Sequence, residues 1–388
     1  MNNKYNVWNK WDKLKTVMLG DVYRPEFYDG IKSPEIQDGL KQINDESMED
    51  LENFSNILKD FGCEVLRPTM DHNARIEDYM KDGKMKGIVP RPPLMPRDAQ
   101  FVQGKNLVYT DTENTPDIET TLRSYNNDDV VNIRLNELLN QPIAGRTSWA
   151  PNWTGVGKDV YVDILDYRPT TRVKRILEKA NPDIRLNYLR HGGHSDAVFH
   201  TLKPGAIISL EEVQTYHRTF PDWDVLYLPD QSWERVSPFI TMKRKNTGKW
   251  WIPGQEDNDE LTFFIESWLS DWVGFVEETV FDVNVLVLDE HHVAMTNVNN
   301  PAINAFLKKH NMEAIHVPWR HRYFHDGGLH CITLDLYREG EMQDYFPDRP
   351  KRGLIDYGPA SANGKQFADR KLTDDFAKSA EESIYRLS

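Results

Sequence analysis

Short apolar runs, each long enough for a single strand, recur along the chain with amphipathic helical stretches between them. Strands are read at Thr16–Leu19, Glu64–Leu66, Asn106–Thr110, Asp159–Ile164, Arg185–Leu189 and Ala206–Leu210. Others follow at Asp224–Leu228, Val285–Leu288, Val293–Thr296, Ala314–Val317 and Cys331–Leu336. Helical periodicity is clearest over about 38–61, where Leu40, Ile43, Met48, Leu51, Phe54, Ile57, Leu58 and Phe61 recur at helical spacing and Gly62 marks the stop. A second helix is read over Thr171–Ala180, ending at Asn181-Pro182. A third begins with Asn300 as N-cap and Pro301 at the first helical position. Val285 to Val317 therefore reads as two strands around an Asp-Glu-His-His turn, then a helix and a strand: a ββαβ unit. This is an α/β chain without strict βαβα alternation. No Gly-rich phosphate loop follows a strand: GVGK at 155–158 is too short, and GxGxxG is absent.

The 388 residues carry 11 Trp, 16 Tyr and 16 Phe, ample for a core. Residues 1–345 read as one domain and 346–388 as a C-terminal extension, first loop and then helix from about 373. The net charge of −14 repels nucleic acid and favours solubility, with a welcome for small cations. No run is long enough to cross a membrane, and the N-terminal stretch lacks the apolar core of a signal peptide. Two cysteines in such a length argue against a disulfide framework, so a reducing, cytoplasmic setting is expected. Nothing in these totals decides between a monomer and a homo-oligomer.

Chemistry-bearing residues gather in a few places. Histidines stand at HGGH (His191, His194), at DEHH (His291, His292) and around His321, His325 and His330. Zinc needs three or four rigidly placed ligands, and the glycines of HGGH do not supply them. No metal or cofactor is expected, and His291, His292 and His321 read as separate polar or surface side chains. Cys331, in GGLHCITLDLYREG, is either a core filler or a nucleophile. As a base for it, adjacent His330 is disfavoured, because neighbours on a strand point to opposite faces. His194 is the better candidate, with Asp196 two positions on and on the same face if HSDAVF is extended. Cys63 reads as core, and Asp98 in MPRD, taken alone, as a turn or ion-pair residue.

Together these segments resemble the amidinotransferases, typified by arginine:glycine amidinotransferase, within a guanidino-modifying superfamily that includes arginine deiminases. The resemblance runs from Trp11-Asp12 to Gly340. It rests on MPRD (95–98), HSDAVF followed by PGAIIS (194–209), FDVNVLVLDEHHVAM (281–295) and GGLHC (327–331), in matching order and spacing. It implies a five-bladed, pseudo-symmetric α/β propeller of ββαβ modules around a central channel. It implies Cys331 as nucleophile, His194 as general acid/base, and Asp98 and Asp196 as the grip on a guanidinium. Arg97, Glu277 and Glu278 are carried over with them as substrate-binding positions. The implied reaction moves an amidino group from arginine or a related donor to an amine acceptor through an amidino-cysteine. Water in place of the amine would make the chain a hydrolase or deiminase, and loss of part of the site would leave a non-catalytic binding protein.

Two departures qualify the resemblance. Aligning GKDVY (157–161) puts Trp149 where a histidine-orienting carboxylate is expected and Asn152 at a second acidic position, with Asp159 or Asp163 as possible substitutes. An arginine that holds the donor's carboxylate maps to Val213, beside Glu211 and Glu212, and two serines that assist it map to Glu277 and Glu278. This pattern disfavours an amino-acid head group.

Overall fold

The structure is a computed structural model. It describes residues 4–109, 116–126, 133–134, 150–163, 181–191, 194–210, 213, 215–229, 231, 257–270, 272, 282–351 and 353–357. The chain is α/β, with helices set between small mixed sheets.

Five of these sheets follow one plan: an antiparallel hairpin, then, after a crossover, a strand parallel to the hairpin's second strand. β5 (Gln100–Gln103) and β6 (Asn106–Tyr109) are completed by β7 (Ile133–Arg134). β8 (Trp153–Val156) and β9 (Asp159–Asp163) are completed by β10 (Arg185–Leu189). β11 (Phe199–Lys203) and β12 (Ala206–Ser209) take β13 (Asp224–Tyr227). β14 (Leu286–Val287) and β15 (His292–Met295) take β16 (Glu313–His316), which confirms the ββαβ unit read from sequence. In the fifth sheet the hairpin is made across the chain. β17 (Thr333–Glu339) pairs antiparallel with β1 (Lys13–Leu19), and β1 takes β2 (Glu64–Leu66) in parallel. A small hairpin, β3 (Met80–Lys81) with β4 (Lys84–Met85), stands apart.

The helix Pro34–Asp60 fills the crossover from β1 to β2. It starts four residues before the periodic stretch read from sequence, because Pro34 takes a first-turn position where no amide partner is needed. It ends where Gly62 adopts φ +82°, a left-handed conformation costly for other residues. Of the segment 346–388, the described part docks on the rest of the chain. β18 (Gly353–Asp356) extends the sheet beside β10, and Phe346 and Tyr357 join the apolar core. The helices read at Thr171–Ala180 and beyond 373 lie outside the described residues.

β5, β8 and β11, each the first strand of a hairpin, were not read from sequence. Their residues QFVQ, WTGV and FHTLK interleave polar and apolar types, yet all but Gly155 and Lys203 are buried. Polar residues there face the interior, so the usual apolar signal is broken.

β17 shows how the two faces of such a strand divide the work. Leu334 and Leu336 pack with Met18, Val102 and Leu107, while Asp335 points the other way. Its Oδ1 accepts from Arg97 Nη2 at 2.7 Å and its Oδ2 from Arg338 Nε at 2.7 Å. Arg338 also donates to the carbonyls of Asp12 and Val287, at 2.7 Å each. Burial alone would raise the Asp335 pKa, but the two guanidinium groups draw it down to about 2. The stabilisation from Asp335 is present above the ordinary aspartate range and is lost as pH falls from about 4 towards 2, worth about 2 kcal/mol. Asp335→Ala, which strands two buried cations, is expected to cost about 3–5 kcal/mol in denaturant unfolding and to flatten this acid limb.

Candidate active site

The first strands of the five hairpins are each preceded, within one to three residues, by a polar side chain expected at the site or meeting it. Asp98 precedes β5, Asn152 precedes β8, Asp196 precedes β11, Asn284 precedes β14 and Cys331 precedes β17. Contacts join these loops. The Ala150 amide donates to the Asp98 carbonyl at 3.3 Å, and Ser195 Oγ donates to the Asn152 carbonyl at 3.1 Å. Arg97 Nε donates to the carbonyls of His330 and Thr333, at 2.9 Å each.

Cys331 is fully buried and sits in a turn, two residues before β17 begins. This corrects the reading of the strand as Cys331–Leu336, and with it the argument that His330 and Cys331 face apart. In the turn both reach one carboxylate. His330 Nδ1 lies 2.6 Å from Asp196 Oδ2, and the Cys331 thiol donates to the same oxygen at 3.7 Å. Burial, then Arg97 and Lys10, hold the His330 pKa well below the usual histidine range. The ring is therefore neutral, with its proton on Nδ1 facing the carboxylate. His200 meets it edge-on, ring centres 4.9 Å apart, and is held neutral by burial in the same way.

Asn284 clasps the turn from the other side. Its Oδ1 accepts the backbone N–H of His330 at 2.9 Å and of Cys331 at 3.3 Å, and its Nδ2 donates to Cys331 Sγ at 2.9 Å. The two glycines of GGLHC are explained by this closeness. Neither has the positive φ that a sharp turn would demand. A Cβ on Gly328 would lie 2.5 Å from Asn284 Oδ1, and one on Gly327 would strike Met95.

His194 and Asp196 are not on an extended segment: His194 is the N-cap of a 3₁₀ turn, Ser195–Ala197. The two remain in one electrostatic neighbourhood. Burial raises the Asp196 pKa, His194, Lys10 and Arg97 lower it, and the like charge of Asp98 raises it. Asp196 Oδ1 is buried with no hydrogen-bond partner among the described residues. Asp98 is also buried, and its Oδ2 accepts from Arg91 Nη2 at 2.7 Å. Arg97 is turned away, its Nε and Nη2 spent on the backbone of the Cys331 turn and on Asp335.

Asp159 and Asp163, the possible substitutes for the carboxylate displaced by Trp149, are placed differently. Asp159 is engaged by Arg185 at 2.6 Å and Arg349 at 3.0 Å. Asp163 Oδ2 lies 2.6 Å from His191 Nδ1, with both residues buried. Val213 is buried in the apolar core. Trp149, Glu211, Glu212, Glu277 and Glu278 lie outside the described residues.

Cys63 is core, as expected, its thiol donating to the Leu14 carbonyl at 3.2 Å and its pKa raised by burial. His321, read as a separate polar or surface side chain, is buried and polar-paired, 2.6 Å from Glu46. Among the described residues no three His, Cys, Asp or Glu side chains converge to hold a metal ion, and no helix is long and apolar enough to cross a membrane. Of the residues at the Cys331 turn, Asn284 was signalled only by its hairpin motif, His330 was set aside by strand alternation, and Lys10 and His200 carried no signal.

No family model matches the chain. It is 25% identical over 201 residues to the mitochondrial glycine amidinotransferase of Xenopus tropicalis, covering 51% of this chain and 40% of that one. It is 23% identical over 292 residues to the L-arginine:L-lysine amidinotransferase of Pseudomonas savastanoi pv. phaseolicola, covering 72% of this chain and 61% of that one. The match thus spans less than two thirds of either relative's length. In fold it is similar to an amidinotransferase of saxitoxin biosynthesis from Microseira wollei, with TM-score 0.59 and 16% identity over 88% of this chain and all of that one. It is equally similar to the inosamine-phosphate amidinotransferase of Streptomyces griseus, with TM-score 0.59 and 16% identity over 89% and 99%. The resemblance drawn from the motifs is borne out at both levels, since these relatives in sequence and in fold are amidinotransferases.

Asn284→Ala and Gly328→Ala act on the same clasp, so each is expected to cost about 1–3 kcal/mol and to slow alkylation of Cys331. Their double variant is expected to fall short of the sum, which a double-mutant cycle on unfolding free energy will read.

Proposed function

We propose that this protein is an amidinotransferase that takes an amidino group from a small guanidino donor onto Cys331 and passes it to an amine. The observation that carries this reading is the divided use of Asp196. One oxygen accepts from His330 and from the Cys331 thiol, while the other, buried, has no hydrogen-bond partner among the described residues. A carboxylate so close to a thiol disfavours the thiolate in the empty site, and a substrate cation reverses that balance. A guanidinium bonded to Asp196 Oδ1 would bring both the needed charge and an electrophilic carbon within reach of sulfur.

The steps follow from these parts. Cys331, as thiolate, forms a C–S bond to the central carbon while Asn284 Nδ2 steadies the sulfur. His194 protonates the departing amine as the C–N bond breaks, leaving an isothiouronium on Cys331. An acceptor amine attacks that carbon, His194 takes up its proton, and the thiolate leaves. Asp98 shares the charge of the guanidinium with Asp196. His330 positions Asp196, and Arg97 is a positioning residue for the turn rather than a contact of the substrate. The five repeated sheets are read as the blades of a propeller, with the site where their first strands begin. Residues 1–345 carry this machinery, and the later segment supports it through β18.

Val213 in the apolar core fits a donor without an α-carboxylate. Agmatine is therefore expected to outperform arginine, and a clear preference for arginine would overturn that point. Incubation with each donor, with and without amines such as glycine or lysine, is expected to give free putrescine or ornithine and a new guanidino product. Ammonia with a ureido product would mean hydrolysis instead. Mass spectrometry of quenched protein is expected to find the amidino adduct on Cys331 and not Cys63, and Cys331→Ala to abolish both adduct and turnover. No adduct from any guanidino donor would leave only the binding-protein reading.

A further inference from the structure

Arg91 sets a guanidinium of the chain itself on Asp98, a carboxylate read above as part of the grip on a substrate guanidinium. Its Nη2 donates to Asp98 Oδ2 at 2.7 Å. The Arg91 side chain is 30% exposed and that of Asp98 only 9%, so a cation that can reach water holds a carboxylate that cannot. The backbone around Arg91 is pinned. Val89 donates its amide to the Trp268 carbonyl and accepts from Trp272 Nε1, at 2.8 Å each. The Pro90 carbonyl accepts from the Tyr23 hydroxyl at 3.4 Å, and the Pro93 carbonyl from the Asp21 amide at 3.2 Å. Pro90, Pro92 and Pro93 fix their own φ, and Arg91, standing before a proline, is confined to extended backbone. Any movement of the guanidinium is therefore a movement of the side chain.

The same loop runs on into contact with the Cys331 turn. A Cβ on Gly327 would strike Met95, and Arg97 Nε donates to the carbonyls of His330 and Thr333. Asp98 follows directly, its amide donating to the Met95 carbonyl at 3.2 Å. The Arg91–Asp98 pair thus stands on the segment that flanks the nucleophile.

We propose that Arg91 is a resident competitor for Asp98, its guanidinium holding that carboxylate until a substrate guanidinium displaces it towards solvent. The inference rests on Asp98 being part of the substrate clamp. A carboxylate as buried as Asp98 is unfavourable when unpaired, and Arg91 removes that penalty before substrate arrives. A second guanidinium brought to the same carboxylate is repelled by the first. Arg91 is the one of the two with a path to water, so it is the one that yields. This makes Arg91 a specificity-determining residue: a cation enters only by bettering a guanidinium already in place. An ammonium, a point charge without the planar fork, is poorly equipped to do so, and the protonated acceptor amine is thereby kept off Asp98.

The test measures how well methylguanidine shields Cys331 from alkylation by neutral chloroacetamide, with methylurea as an uncharged ligand of the same shape. Each half-protecting concentration is taken against that variant's own unprotected rate, so changes in thiol reactivity cancel. Mass spectrometry confirms Cys331 as the modified residue, and circular dichroism confirms the fold of each variant. The pair lies between exposed and deeply buried ion pairs, so Arg91→Met is expected to lower the half-protecting concentration of methylguanidine on the order of tenfold. Methylurea is expected to be unaffected, and Arg91→Lys, which keeps a cation beside Asp98, to stay close to the wild type. Arg91→Gln replaces Arg91→Met should the latter fail to fold. Asp98→Asn is expected to lose the preference for methylguanidine over methylurea. Unchanged or weaker protection by methylguanidine in Arg91→Met overturns the role of Arg91 while leaving the clamp intact, and so does a gain shared equally by methylurea. A wild type with no preference for methylguanidine, or an Asp98→Asn variant that keeps it, overturns Asp98 as clamp, and this inference with it.

Discussion

A single buried carboxylate, Asp335, holds three distant parts of the chain in register. Its two oxygens take Arg97 and Arg338. Through Arg97 it grips the turn that presents Cys331, and through Arg338 it grips the carbonyls of Asp12 and Val287. Those contacts reach the N-terminal segment, the hairpin behind Asn284 and the MPRD loop. Ion pairs this deep repay their desolvation only when further hydrogen bonds support them, and Arg97 and Arg338 each donate to two backbone carbonyls besides Asp335. The turn bearing Cys331 rests on that network through the two carbonyls that Arg97 Nε meets.

Above that satisfied layer lies one with capacity to spare. Among the described residues Asp196 has a buried oxygen with no hydrogen-bond partner, and His330 and His200 are kept neutral by burial. The contrast separates saturated groups from groups with hydrogen-bonding capacity left. It also accounts for Arg97, which belongs to a motif associated with substrate yet spends its donors on the protein. Asp98, its neighbour, accepts from Arg91 and acts on Asp196 by its charge.

Much of the fold was legible in the chain. β2 and β10 fall at the residues read for them, and the other strands that were read are matched to within a few residues. Among the strands that escaped, β5, β8 and β11 are those whose polar residues point inward, so alternation and burial no longer coincide. The same interior polarity hid much of the site. Strand logic set His330 aside because the strand was taken to begin at Cys331; the backbone turns there until Thr333, and both side chains meet Asp196. The glycines before them serve the closeness of Asn284 and Met95 rather than a left-handed turn.

By itself the sequence determined the α/β alternation, the ββαβ unit at Val285–Val317, and the residue types the chemistry needs: a lone thiol after two glycines, a histidine and an aspartate two apart, an aspartate after Pro-Arg. These are local facts, set by periodicity and by what each side chain can do. Only the tertiary structure decided which of them meet. Strand pairing between β1 and β17 joins the ends of the domain, and loops from five hairpins are brought within hydrogen-bond reach of their neighbours. Whether a buried charge is satisfied or left open depends on those distances. A sequence records that Lys10, Asp196 and Asp335 are charged, but the division between the saturated carboxylate and the open one exists only once the chain has folded around them.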